Sequence, residues 1–175
     1  MMQLAVCQSQ THSVLVTCRN VRKIKEFTTN GKLLRQIELP QEVVSPWHSI
    51  QLSSGEFVVC HGDLTDPVHR VCLIGSDGHI VKSFGRPTGS GSQQMYVSIH
   101  MAVDRNGFVF VADINNCRVL LLSPDLTYVR EVVSREQLKW LAARLYLDVE
   151  RCRLFVAVIG WKISKVTGRV VVVSV

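Results

Sequence analysis

Side chains able to bind a ligand recur at corresponding points of four similar segments in this 175-residue chain. They are cationic, amide and aromatic groups at the borders of short apolar runs. Cations attract phosphates and carboxylates, while aromatic rings stack on bases or fill pockets in protein partners. The candidate binding residues are Arg22, Trp47, His48, His61, His69, Asn115, Asn116, Trp161, Lys162 and Lys165.

Catalytic chemistry has weaker support in the sequence. His48 and His100 each stand near the start of an apolar run, but a metal centre needs at least a third ligand. The chain has no Gly-x-Ser-x-Gly motif, and no cysteine–histidine pair with an orienting residue can be argued. We therefore expect a non-catalytic protein with no metal and no cofactor.

Composition narrows the class of protein. Hydrophobic residues make up 47% of the chain and charged residues 19%, enough apolar surface for a folded core. No apolar run approaches the roughly 20 residues needed to span a bilayer, so we expect no membrane partner. The six cysteines form no Cys-x-x-Cys pair, which favours reduced thiols and a cytoplasmic location. The net charge of +6 suits a polyanion or an acidic partner.

The elements that must position these side chains follow from an internal repeat. The run 118–123 (RVLLLS) returns as 169–174 (RVVVVS), with a looser copy at 70–75 and a fainter one at 23–28. These copies recur at intervals of about 50 residues, a period typical of a propeller blade. A β-sandwich and an open solenoid are the alternatives.

Each unit contains short apolar runs separated by turn signals, and so predicts an antiparallel sheet of up to four strands. Gly55 and Gly107 mark turns between the first two strands of two units, where positive φ is needed. Ser134 and Gln137 have capping-box spacing and predict a short helical linker. The predicted blades are 1–39, 47–85, 97–133 and 143–175, with the linker at about 134–143.

The third unit carries a more specific pattern. Residues 103–113 (VDRNGFVFVAD) followed by 115–119 (NNCRV) resemble an NHL repeat, in which Asp113 caps the loop and pairs with Arg118. The other units match this repeat in spacing but replace the aspartate with Cys18, His61 or Val158. The residues assigned to the structural signature are Gly55, Gly107, Asp113, Arg70, Arg118 and Arg169.

This resemblance implies an all-β protein: about four blades of four-stranded antiparallel sheet, forming part of a six-bladed propeller. Propellers of this family often form the C-terminal recognition domain of tripartite-motif (RING/B-box) ubiquitin ligases. The function it implies is a binding module whose rim recognises a protein partner or single-stranded RNA. Unpaired blade edges could also lead to self-association. The alternative is a propeller enzyme resembling gluconolactonases or the amidating lyase, with a metal in the central channel.

Overall fold

The computed structural model describes residues 4–8, 13–62, 64–65, 68–162 and 165–175, and for residues 4–8, 161–162 and 165–166 it describes the backbone alone. These residues form four antiparallel sheets in chain order, three with four strands and the last with three. The first two sheets consist of β1 (Leu4–Gln8), β2 (Val14–Cys18), β3 (Lys23–Phe27), β4 (Leu33–Glu38), β5 (His48–Gln51), β6 (Phe57–His61), β7 (Arg70–Ile74) and β8 (Ile80–Phe84). The last two consist of β9 (Ser98–Val103), β10 (Val109–Asp113), β11 (Arg118–Leu122), β12 (Tyr128–Val133), β13 (Leu141–Asp148), β14 (Arg153–Lys162) and β15 (Lys165–Ser174).

Tight turns join the first two strands of the second and third sheets. Gly55 and Gly107 have φ values of 90° and 85°, in the left-handed region that a side chain disfavours. In the third sheet, Asp104 Oδ1 accepts hydrogen bonds from the backbone N–H groups of Asn106 and Phe108 at 2.9 and 2.8 Å. Local turn chemistry therefore sets the register of these hairpins.

The middle strands of the second and third sheets are apolar on both faces because each of these sheets packs between two others. Alternate residues of a strand point to opposite faces. In β10, Val109 and Val111 join a core shared with the second sheet, while Phe110 and Ala112 join a core shared with the fourth. A third core fills the space between the first and second sheets.

The innermost strand of each sheet lies against that of the next, in the order β1, β5, β9 and β13. Edge strands leave one row of backbone groups without ladder partners, and side chains from the neighbouring sheet bond to some of them. This arrangement places the starts of the inner strands close together.

The linker between the third and fourth sheets differs from the prediction. Helix α1 covers only Arg135–Leu138, and it begins with the predicted capping box of Ser134 and Gln137. Lys139 follows as its C-cap residue and adopts φ 59°. The chain then enters β13 at Leu141, so the predicted helical stretch 134–143 is mostly not helical. None of the helices in the described part of the chain has the length and apolar character to cross a bilayer.

A buried ion pair attaches the loop before β9 to the third sheet. Asp113 is fully buried and accepts hydrogen bonds from Arg118 Nε and from the Tyr96 backbone N–H, each at 2.8 Å. The Arg118 guanidinium also donates to the carbonyl oxygens of Ser90, Gly91 and Gln94 at 2.7–3.0 Å. Burial raises the pKa of Asp113, while the Arg118 cation and the N–H donors favour its ionised form.

We predict that Arg118→Met lowers the free energy of unfolding by about 3–5 kcal/mol, because it leaves a buried carboxylate without its cation. The matched variant is Arg169→Met, since Arg169 occupies the same repeat position but is exposed. It donates to the Leu138 carbonyl at 2.9 Å, and no aspartate of the described residues pairs with it. Its loss should cost about 1 kcal/mol or less. Urea denaturation measures both, and equal losses would contradict this account.

Candidate functional site

One face of the array carries the loops between the second and third strands, together with the connections between sheets. We call it the loop face, and it comprises residues 19–22, 39–47, 62, 64–65, 68–69, 85–97, 114–117 and 134–140 with the paired ends of β14 and β15. Arg22 lies on it, exposed and in the left-handed region at φ 48°. The opposite face carries the tight turns.

The aromatic and histidine candidates of the second sheet are less available than expected. Trp47 is half-buried, with its Nε1 donating to the Gly62 carbonyl at 2.6 Å and the Arg19 guanidinium 3.8 Å from the centre of its ring. His61 and His69 are 3% and 0% exposed, and His61 Nε2 lies 3.3 Å from Cys72 Sγ. The expectation that these histidines face a ligand at the rim is therefore corrected. His61 ends β6 and His69 directly precedes β7, and the packing around the second sheet buries both side chains.

The asparagine candidates belong to the loop structure. Asn116 Nδ2 donates to Asp113 Oδ2 and to the Gly89 carbonyl, both at 2.8 Å. Asn115 is half-buried, and its backbone N–H donates to the Tyr96 carbonyl at 3.1 Å.

The remaining candidates lie at the ends of the last two strands, where the structure describes only the backbone. Trp161 and Lys162 end β14, and Lys165 begins β15. The side chains of Trp161, Lys162 and Lys165 lie outside the described residues.

A second cluster lies on the inner strands near the loop face. The rings of His48 and His100 stack with centroids 4.1 Å apart and planes inclined by 18°. His48 Nδ1 accepts a hydrogen bond from the Met101 N–H at 3.4 Å, and His100 Nδ1 accepts one from the Leu145 N–H at 3.3 Å. Each histidine therefore links its own sheet to the next.

Arg144 is the third member of this cluster. It can be identified only when the inner strands of the sheets are aligned with one another. The sequence predicts an almost wholly apolar inner strand at 145–147, whereas β13 begins at Leu141 and so includes this arginine. Arg144 is exposed, and its Nη1 donates to the Ala143 carbonyl at 2.8 Å. No sequence signal identifies it, because His48, His100 and Arg144 precede the repeated arginine of their units by 22, 18 and 25 residues, and only the strand pairing gives them the same position.

The environment keeps both imidazoles neutral at pH 7. Burial lowers the pKa of His48 to about 3, with further contributions from His100 and the Arg144 charge. Burial and the same arginine lower the pKa of His100 to about 4. Burial also raises the pKa values of the neighbouring Cys60 and of Cys72 to about 12, so both thiols stay protonated.

A metal centre does not fit this cluster. Within the described ranges, no group of three or more histidine, cysteine, aspartate or glutamate side chains is placed to hold an ion. A guanidinium beside the two imidazoles would also repel a cation.

Comparison with known proteins gives the class of fold. No protein-family model matches the chain, and no curated protein matches it in sequence, so the NHL resemblance stays a prediction. Its structure is similar to that of virginiamycin B lyase from Staphylococcus aureus, with a TM-score of 0.62, 13% identity, and coverage of 94% of this chain and 54% of the lyase. A streptogramin B lyase gives a TM-score of 0.62 at 15% identity, covering 94% and 53% of the two chains. A Bacteroides caccae protein of unknown function gives 0.55 at 13% identity, covering 95% and 59%.

These proteins are β-propellers, so the predicted all-β propeller fold is confirmed. The chain spans little more than half the length of these structures. The expectation of a non-catalytic protein is wrong as an inference from this fold, because the fold is that of lyases. A propeller scaffold carries enzymes as well as binding modules.

The lowered histidine pKa values predict how stability depends on pH. Between about pH 4 and 6.5 the unfolded chain binds more protons at His48 and His100 than the folded chain does. The free energy of unfolding should therefore be fully retained above pH 6.5 and should fall below it, by up to about 1.4 kcal/mol per pH unit for each histidine.

Urea denaturation of the wild type and of the double variant His48→Asn/His100→Asn at several pH values measures this slope. The asparagine oxygen keeps an acceptor near each Nδ1 position but does not titrate. The control is His79→Asn in an exposed turn, which should leave the slope as in the wild type. Equal slopes for the double variant and the wild type between pH 5 and 6.5 would rule out this explanation.

Proposed function

We propose that this chain is part of a ligand-binding β-propeller that binds a polypeptide partner through its loop face. The observation that best supports this proposal is the distribution of exposed apolar side chains. Val21, Val44, Leu64 and Tyr96 are exposed on the loop face, and Ile159 is exposed near it in β14. Among the described residues, the tight turns of the opposite face contain no exposed large hydrophobic side chain.

The charge of the loop face supports a partner with acidic as well as apolar groups. Its exposed cations include Arg22, Arg86, Arg135 and Lys139. Exposed apolar groups ringed by cations are typical of protein-binding surfaces, where a few buried anchors supply most of the affinity. RNA binding would rely more on stacked aromatic rings, and Trp47 already lies beneath Arg19.

The NHL resemblance is consistent with this function. In tripartite-motif proteins, a propeller of this kind recognises the protein that other domains of the same chain ubiquitylate. By that resemblance, the partner of this loop face would be such a substrate. The similarity to the lyases does not indicate a substrate for this chain, because the identity of 13–15% supports the fold alone.

Selection of peptides from a random display library on the folded chain tests this proposal. We predict that selected peptides lose about tenfold or more in affinity for the triple variant Val21→Ser/Val44→Ser/Leu64→Ser, because their apolar anchors lose their contacts. The matched control is Leu34→Ser/Val81→Ser/Val129→Ser, which removes exposed side chains from the outer strands. It should bind as the wild type does in calorimetry.

Two results would contradict the proposal. One is a set of peptides whose binding survives the loop-face variant but not the outer-strand variant. The other is an absence of peptide binding together with tight binding of single-stranded RNA in fluorescence anisotropy. RNA binding at this face would weaken steeply with salt and on Arg22→Glu, since counterion release follows the number of neutralised phosphates.

A further inference from the structure

The inner strands of three consecutive sheets carry a basic side chain at the same register position. In each sheet this residue pairs with a small residue of the second strand, which in turn pairs with the valine that follows the repeated arginine. The three rows are His48–Cys60–Val71, His100–Ala112–Val119 and Arg144–Ala157–Val170. The equivalent inner-strand residue of the first sheet is Ala5.

The hydrogen bonds of the two imidazoles define their tautomer. Each Nδ1 accepts a backbone N–H, so in the neutral ring the proton is on Nε2. Within the described part of the chain, none of the contacts that the two rings form involves an Nε2 nitrogen. Each neutral ring therefore keeps one N–H donor that makes no hydrogen bond within the described residues. A ligand oxygen could accept a hydrogen bond from each of these donors.

The charge that acts on the two imidazole rings from outside the pair is positive. The charged group that lowers the pKa values of both rings is the Arg144 guanidinium, and no carboxylate contributes to either shift. The cluster therefore combines one permanent positive charge with two neutral N–H donors. Donors without acceptors select oxygen-rich anions, to which guanidinium groups bind with matching geometry.

We propose that His48, His100 and Arg144 form a binding site for a small oxyanion, the carboxylate or phosphate group of a ligand, on the inner strands of the propeller. This site goes beyond the proposed docking of a polypeptide on the loop face and does not depend on it. The stacked rings would present their Nε2–H groups to one oxygen-bearing group while Arg144 neutralises its charge. The position is held on strands, so the donors are positioned before the ligand arrives.

Titration of the folded chain with benzoate and, separately, with inorganic phosphate tests this site. The readout is the long-range ¹H–¹⁵N spectrum of the histidine side chains. We expect saturable shifts of the Nε2 resonances of His48 and His100, with the stronger of the two probes identifying the type of oxyanion. Benzamide, which has the shape of benzoate without its charge, should cause no such shift.

Variants separate the site from the fold. Arg144→Gln and His100→Asn should each weaken binding by about tenfold or more, because each removes a donor to the anion. His100→Asn keeps an acceptor near the Leu145 N–H, and Arg144 is exposed, so both variants should stay folded. Arg130→Gln removes an exposed positive charge from β12 and should leave binding unchanged.

Three outcomes would overturn the proposal. The first is that neither anion shifts the Nε2 resonances. The second is that benzamide shifts them as benzoate does. The third is that Arg130→Gln weakens binding as much as Arg144→Gln. A failure here would leave the loop-face proposal standing, because the peptide selection uses other residues.

Discussion

The burial of both faces of the middle strands is the constraint on which the rest of the structure depends. β10 has five consecutive buried residues, and no single neighbouring sheet could cover them all. Sheets therefore lie on either side of it, and this packing brings the inner strands β5, β9 and β13 together. The stacking of His48 on His100 follows, because the two rings occupy the same position on adjacent inner strands.

The described residues include two polar clusters with different roles, one structural and one to which we assign binding. In the Asp113–Arg118 cluster, the carboxylate has its cation and two further N–H donors, and the guanidinium reaches three loop carbonyls. Such a satisfied network holds a loop in place and offers little to a ligand. The cluster of His48, His100 and Arg144 has donors and a net charge that the described chain does not balance. That imbalance is why we assign binding to the second cluster.

The repeat and its glycine turns predict the sheets because hairpin formation is local. The burial of His61 and His69 could not be predicted, since it depends on packing between sheets that are distant in sequence. Arg144 was missed because β13 begins four residues earlier than the apolar pattern suggests. The non-catalytic expectation failed for a different reason: turn and core residues define this fold, and they do not determine whether a protein that has it is an enzyme.

Every ladder of backbone hydrogen bonds among the described strands closes within one contiguous segment of the chain. Neighbouring sheets are joined instead by side chains, such as His100 bonding to the Leu145 N–H. Gaining or losing a copy would therefore change the angle between neighbours but would break no ladder. The number of copies in such an array can therefore vary through gene duplication while each unit keeps its own hydrogen bonding.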